Sequence, residues 1–239
     1  ENRDGLKPGI VFFHGGGWNG GAPSQFYPHC AYLASRGLVC ITVQYRLKSV
    51  HNTTPYECVA DGKSAMRWVT VHAEELGIDP ERILAGGGSA GGHVASATAF
   101  TPGFDDENDD LSVSCKPKAL VLFNPVFNNG PGGFGHDQVR ENWEEFSPFH
   151  NVKEGAPPTV VFFGTEDQHL KGCRAEEFKT NMEAAGSRCD LHIYEGQPHG
   201  FFNFNEGDNP SYYKTLIEAD KFLASLGYLE GEPTLKEPQ

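Results

Sequence analysis

The chain has 239 residues, enough for one domain with a sizeable core. Its composition, 38% hydrophobic and 21% charged, is that of a globular protein and excludes disordered and fibrous classes. A net charge of −13, from 32 acidic and 19 basic residues, repels nucleic acid and anionic membrane surfaces, and no apolar run approaches the roughly 20 residues that span a bilayer.

Residues 1–10 are polar and show no secretory leader, which leaves the compartment open. Gly9–Phe13 reads as a buried strand, and residues Ser24–Arg36 as a helix stopped by Gly37. Leu38–Gln44 is a second strand, Tyr56–Leu76 a long helix, and Gly77–Pro80 a turn. Arg82–Gly86 is a third strand that runs into Gly-Gly-Ser-Ala-Gly-Gly, and Ser89–Phe100 is a helix of small residues. An acidic loop over 101–117, with Asp105, Asp106, Glu107, Asp109 and Asp110, lacks calcium-loop spacing and reads as solvated. Strands follow at Lys118–Asn124, Pro158–Phe163 and Cys189–Tyr194, and helices at Gly172–Ala185 and Tyr212–Leu226. Pro125–Ala156 is an insertion rich in glycine, proline and aromatic residues, and Gly231–Gln239 reads as a loose tail beyond a single domain over 1–230.

Strands alternating with helices indicate βαβ units, hence a mostly parallel, doubly wound α/β sheet. Its strands are near-continuous apolar runs, as strands covered on both faces require. Ligands of such sheets bind beyond the carboxyl ends of the strands, so the loops after strands carry the candidate chemistry. The six cysteines contain no Cys-x-x-Cys pair. Cys40 and Cys189 lie in strand-like text and read as small buried thiols, with one or two disulfides left open.

Four of these loops converge on one chemistry. Gly87-Gly88-Ser89-Ala90-Gly91 fits Gly-x-Ser-x-Gly, in which a nucleophilic serine projects from a sharp strand-to-helix turn and glycines relieve collisions two residues either side. His14-Gly15-Gly16-Gly17-Trp18 can bend so that its N–H groups hold an oxyanion. Gly164-Thr165-Glu166-Asp167 offers a carboxylate, Asp167 or the adjoining Glu166, and Pro198-His199-Gly200-Phe201 a general base. Ser, Asp and His occur in the chain order of an α/β-hydrolase triad. His93 reads as a packing or hydrogen-bonding residue, and Glu57 and Asp61 as part of a helix start and its packing. Trp18, Phe134, Trp143, Phe149 and Phe201 are candidates to line an acyl or sugar pocket. No metal-ligand spacing is present.

Together these motifs resemble the hormone-sensitive-lipase-like branch of α/β-hydrolases, in particular compact bacterial acetyl esterases and carbohydrate esterases, over about residues 8–228. The resemblance implies Ser89 as nucleophile, His199 as base, Asp167 as its carboxylate, and the N–H groups of Gly16, Gly17 and Ala90 as the oxyanion hole. It implies Tyr45-Arg46 as a structural pair. The expected activity is hydrolysis of short acyl esters, the expected partner a small-molecule or carbohydrate ester, with no cofactor, metal, nucleic acid or membrane. Two features depart from the family: the first two strands and the N-terminal cap are not evident. Rival readings are a serine peptidase of the same fold, which usually carries a large extra domain, and a non-catalytic receptor, which lacks the histidine. Oligomeric state is not legible.

Overall fold

The computed structural model describes residues 5–169, 174–205 and 209–237. Six strands form one sheet: β1 (Lys7–Phe13), β2 (Val39–Val43), β3 (Ile78–Gly88), β4 (Leu120–Phe123), β5 (Thr159–Gly164) and β6 (Cys189–Tyr194). They run in the order β2-β1-β3-β4-β5-β6, and each neighbouring pair is parallel. The helices are α1 (Tyr27–Ser35), the short α2 (Lys48–His51), α3 (Pro55–Val71), α4 (Ala90–Phe100), the short α5 (His136–Val139) and α6 (Trp143–Phe146), α7 (Ala175–Ala184) and α8 (Pro210–Ser225). Among the described residues no helix is long and apolar enough to cross a membrane.

Side chains alternate across each strand, so the apolar runs feed two cores. Val11, Phe13, Ala85, Leu122 and Val161 pack with Cys58, Met66 and Val94 of α3 and α4 on one face. Ile10, Phe12, Leu84, Val121, Phe123 and Phe162 pack with Leu33 of α1 and Leu216 and Phe222 of α8 on the other. Thr54 begins α3 with a capping box that uses Glu57, and Asp61, one turn further on, bonds the Arg46 guanidinium and backbone N–H. Tyr45 stacks on His14 and donates its hydroxyl to His14 O at 2.7 Å.

Four sequence-based expectations change. The segment 77–80 is not a plain turn: β3 begins at Ile78, which pairs with Lys7 before a register shift to Gly9–Ile83. Ile78 is fully buried, and a Cβ at Gly9 would come 2.9 Å from its side chain, so this glycine lets the isoleucine in. The long helix accordingly ends at Val71 rather than Leu76. The acidic loop is solvated at Glu107, Asn108 and Asp110 but anchored at two points, because Asp105 and Asp109 pair with Arg67 at 2.5 and 2.6 Å, and Asp105 lies 3.5 Å from the buried Lys63. The presumed tail is docked through residue 235: Arg36 donates to the Glu230 and Gly231 carbonyls, the Tyr32 hydroxyl accepts from Thr234 N–H, and Leu235 packs on the core. The helix expected from Gly172 is seen over Ala175–Ala184; residues 172 and 173, with Cys173, lie outside the described residues. The other five cysteines are free thiols.

Candidate active site

The third strand delivers Ser89 at a turn so tight that its φ is +53°, an uncommon value for a residue with a side chain. Glycines make the turn feasible. A Cβ at Gly87 would sit 2.4 Å from Gly91 O, and one at Gly91 would sit 2.1 Å from Phe13 O. The turn is pinned by Ser89 N–H donating to Phe123 O and by Val126 N–H donating to Ser89 O. Ala90 is the first residue of α4, so its N–H has no acceptor within the helix and belongs to the positive end of the helix dipole.

His199 and Asp167 arrive from the loops after β6 and β5. The Ser89 hydroxyl lies 2.9 Å from His199 Nε2, and His199 Nδ1 lies 2.7 Å from Asp167 Oδ2. A carboxylate only accepts, so Nδ1 carries the hydrogen and Nε2 presents its lone pair to the serine hydroxyl. The Asp167 side chain is 5% exposed, and its Oδ1 accepts from His169 N–H at 2.9 Å. Glu166 is exposed.

The loop after β1 is clamped peptide by peptide. His14 O accepts from Tyr45, and the N–H of the same peptide, on Gly15, donates to Gln25 Oε1 at 2.6 Å. In the next peptide, Gly15 O accepts from His14 Nδ1 at 2.7 Å, which turns the Gly16 N–H to the opposite side of the plane. Burial holds His14 below the usual imidazole range, so it stays neutral and keeps this tautomer. Gly16 has φ +122°, and a Cβ there would meet Gly20 O at 2.1 Å. Gly16 O accepts from Asn19 and Gly20 N–H, while no protein acceptor faces the Gly16 or Gly17 N–H among the described residues.

These elements surround a cleft of about 410 Å³ lined by Gly15, Gly16, Gly17, Ser89, His199 and Gly200, with Gln25, Asn124, Phe134, His169, Phe202 and Asn203 completing the wall. Of the five aromatics expected to line it, Phe134 does. Trp18 is buried behind it, edge-on to His93 and tilted against Phe134. Phe149 is a core residue with Arg174 over its ring, and Trp143 is edge-on to His150. Phe201 packs on Tyr194, and its neighbour Phe202 takes the cleft position instead. His93 is fully buried, stacked on Phe146 and bonded to its carbonyl at 3.1 Å.

Sequence reasoning missed Gln25, Asn124, His169, Phe202 and Asn203. Asn124 follows β4 with φ +31° and is fully buried, its Nδ2 lying 3.3 Å from His199 Nδ1. Its position just after an apolar strand was the available signal. His169 is edge-on to His199 at 4.9 Å. Among the described residues no three His, Cys, Asp or Glu side chains converge as metal ligands.

Comparison with known proteins gives a consistent picture. The BD-FAE family model matches residues 1–126, and the model of the dienelactone hydrolase family matches residues 143–228. A probable carboxylic ester hydrolase of Mycobacterium tuberculosis, LipM, is 26% identical over 93% of this chain and 55% of its own length. The isoprenylcysteine alpha-carbonyl methylesterase of Arabidopsis thaliana is 26% identical over 83% of this chain and 52% of its own. The chain thus spans about half the length of the curated relatives it matches. Among solved structures, Thermogutta terrifontis esterase 2 phosphoramylated by tabun matches with a TM-score of 0.91 at 43% identity, covering 97% of this chain and 88% of that one. The propionate-bound form of that esterase matches with a TM-score of 0.90 at 42% identity, over 97% of this chain and 88% of that one.

Proposed function

The chain belongs to the BD-FAE family of α/β-hydrolase esterases, and from that membership we propose that it hydrolyses short-chain carboxylic esters through an acyl-enzyme on Ser89. The observation that carries this reading is the unbroken hydrogen-bond relay from Ser89 through His199 to Asp167 at the floor of an open cleft. His199 Nε2 takes the hydroxyl proton as Ser89 Oγ attacks the ester carbonyl. The buried Asp167 carboxylate then faces an imidazolium and stabilises it. The Gly16, Gly17 and Ala90 N–H groups hold the oxyanion, each worth about 2.7–4 kcal/mol of barrier if it acts as such donors do elsewhere. His199 returns the proton to the leaving alcohol, and water repeats the cycle on the acyl group.

The short-acyl preference is supported by Phe134 and Phe202 on the cleft wall, and by the similar Thermogutta esterase 2, whose structures hold propionate and butyrate. The exposed ring of His169 on the same wall suits a polar alcohol, such as an acetylated sugar. Paraoxon, which phosphorylates the Thermogutta esterase, provides the probe. It should label Ser89 and end turnover, and Ser89→Ala should lose at least about three decades of rate. In a series of p-nitrophenyl esters, acetyl to butyryl should be best. Labelling at another serine, or a preference for octanoyl esters, would refute the respective half of the reading. Binding of esters without any turnover would favour a receptor.

A further inference from the structure

Two amide side chains on the cleft wall have no part in the chemistry above, yet they meet across it. Gln25 sits in the 3-10 turn Pro23–Phe26, after the glycine loop, and Asn203 sits after the histidine loop. Gln25 Oε1 accepts from Gly15 N–H at 2.6 Å, and Gln25 Nε2 donates to Asn203 Oδ1 at 2.9 Å. Asn203 Nδ2 in turn donates to Gly200 O at 2.8 Å.

The polarity of this chain is self-determined. A backbone N–H only donates, so Gln25 must present oxygen to Gly15 and therefore nitrogen to Asn203. A backbone carbonyl only accepts, so Asn203 must present nitrogen to Gly200 and therefore oxygen to Gln25. Both ends agree on one orientation of both amides, and aligned hydrogen bonds of this kind reinforce one another. Each amide heteroatom already has a protein partner, which leaves the pair poorly suited to binding substrate directly. What the pair joins is the peptide preceding the Gly16 and Gly17 N–H groups and the Gly200–Phe201 peptide, one residue beyond His199.

We propose that Gln25 and Asn203 are positioning residues, forming a strut that holds the oxyanion loop and the general-base loop at the separation the tetrahedral intermediate requires. The proposal rests on the ester-hydrolase reading of the site. Such constellations must be held within about 0.5 Å, and a displacement of about 1 Å can cost roughly 100-fold in rate. The strut acts on the transition state, in which the oxyanion and the imidazolium exist together, and not on the first encounter with substrate.

The test compares wild type, Gln25→Met, Asn203→Ala and the double variant on p-nitrophenyl acetate, with melting temperature as the check of folding. Each single change should lower kcat by about 10- to 100-fold while KM stays within about twofold. Affinity for a trifluoromethyl ketone, which forms a tetrahedral adduct, should weaken in parallel, and affinity for butyrate should not. The double variant should be no slower than the slower single, because either change breaks the same strut. Where Gln25→Met does not fold, Asn203→Ala carries the test, since it leaves the Gln25–Gly15 bond in place. Unchanged kcat, multiplied losses in the double variant, or a rise in KM alone would each overturn the strut. A wild type that turns over esters and is labelled at Ser89 while the variants match it refutes the strut alone. A wild type that does neither refutes the ester-hydrolase reading instead.

Discussion

Two buried histidines should make the fold's stability depend steeply on pH. His29 of α1 is fully buried in a box formed by Phe26, Phe123, Phe202 and Tyr212, and burial pushes its pKa down to about 3. His93 of α4, stacked on Phe146 and edge-on to Trp18, is likewise pushed down by burial, to about 4. Both are neutral in the folded protein at pH 5, whereas in the unfolded chain both titrate near 6.5. The unfolded state therefore binds more protons, and stability is complete above pH 6.5 and lost as pH falls toward the folded values. Between pH 7 and pH 5 each histidine should remove about 2 kcal/mol, or ~4 together, a large part of a typical domain stability of about 5–15 kcal/mol. Urea unfolding at the two pH values, on wild type, His29→Phe and His93→Gln, measures this directly. Each substitution should cut the pH 7-to-5 loss by ~2 kcal/mol, whatever it does to stability at pH 7. If both variants lose as much as wild type, the two rings do not titrate as their burial demands, and the reasoning fails.

Two further substitutions probe the site. Asp167→Asn removes the charge that faces the imidazolium and favours the wrong tautomer of His199, so kcat should fall by about 10³- to 10⁴-fold in steady-state assays with the fold intact by circular dichroism. Gly91→Ala would place a Cβ 2.1 Å from Phe13 O and 2.3 Å from His14 O, backbone atoms that cannot turn aside. It should cost about 3 kcal/mol in urea unfolding, together with activity, because the displaced α4 carries Ala90 with it.

What could be read from the sequence was whatever backbone chemistry alone decides. Six β-rich runs are six strands, the inner ones near-continuously apolar because they bury both faces, and Gly87 and Gly91 mark the serine turn because a Cβ at either one meets backbone. Which side a residue takes within a loop was not legible. Phe201 and Phe202 are indistinguishable by composition and motif, yet consecutive side chains diverge, and one packs on Tyr194 while the other reaches the cleft. Gln25 reads as an ordinary polar residue at a helix start until Asn203, 178 positions later, is brought beside it. Asp105 and Asp109 looked solvated because their partners, Lys63 and Arg67, lie on the inner side of a distant helix.

The placement of Trp18 ties two properties of the cleft that would otherwise look separate. The residue follows Gly17 directly, with φ +58°, and its ring is buried against His93, Phe134 and Phe146. Phe134 forms part of the cleft wall, and its contact with Trp18 is close: a Cβ at the adjacent Gly135 would come 2.6 Å from the indole. Across the cleft mouth, a Cβ at Gly17 would come 3.6 Å from the Phe134 ring. In the proposed mechanism the same five-residue loop supplies the Gly16 and Gly17 N–H groups to the oxyanion and, through its tryptophan, supports the ring that bounds the pocket. The insertion is held from its other end as well, where Tyr56 of α3 donates to Val139 O and stacks with Phe104 beside Phe146. A change in the Trp18–Phe134 contact therefore acts on pocket size and on oxyanion geometry at once. If the proposed mechanism holds, Trp18→Phe should therefore change acyl-chain preference and kcat together in a p-nitrophenyl ester series; a change in one with the other intact would refute this coupling.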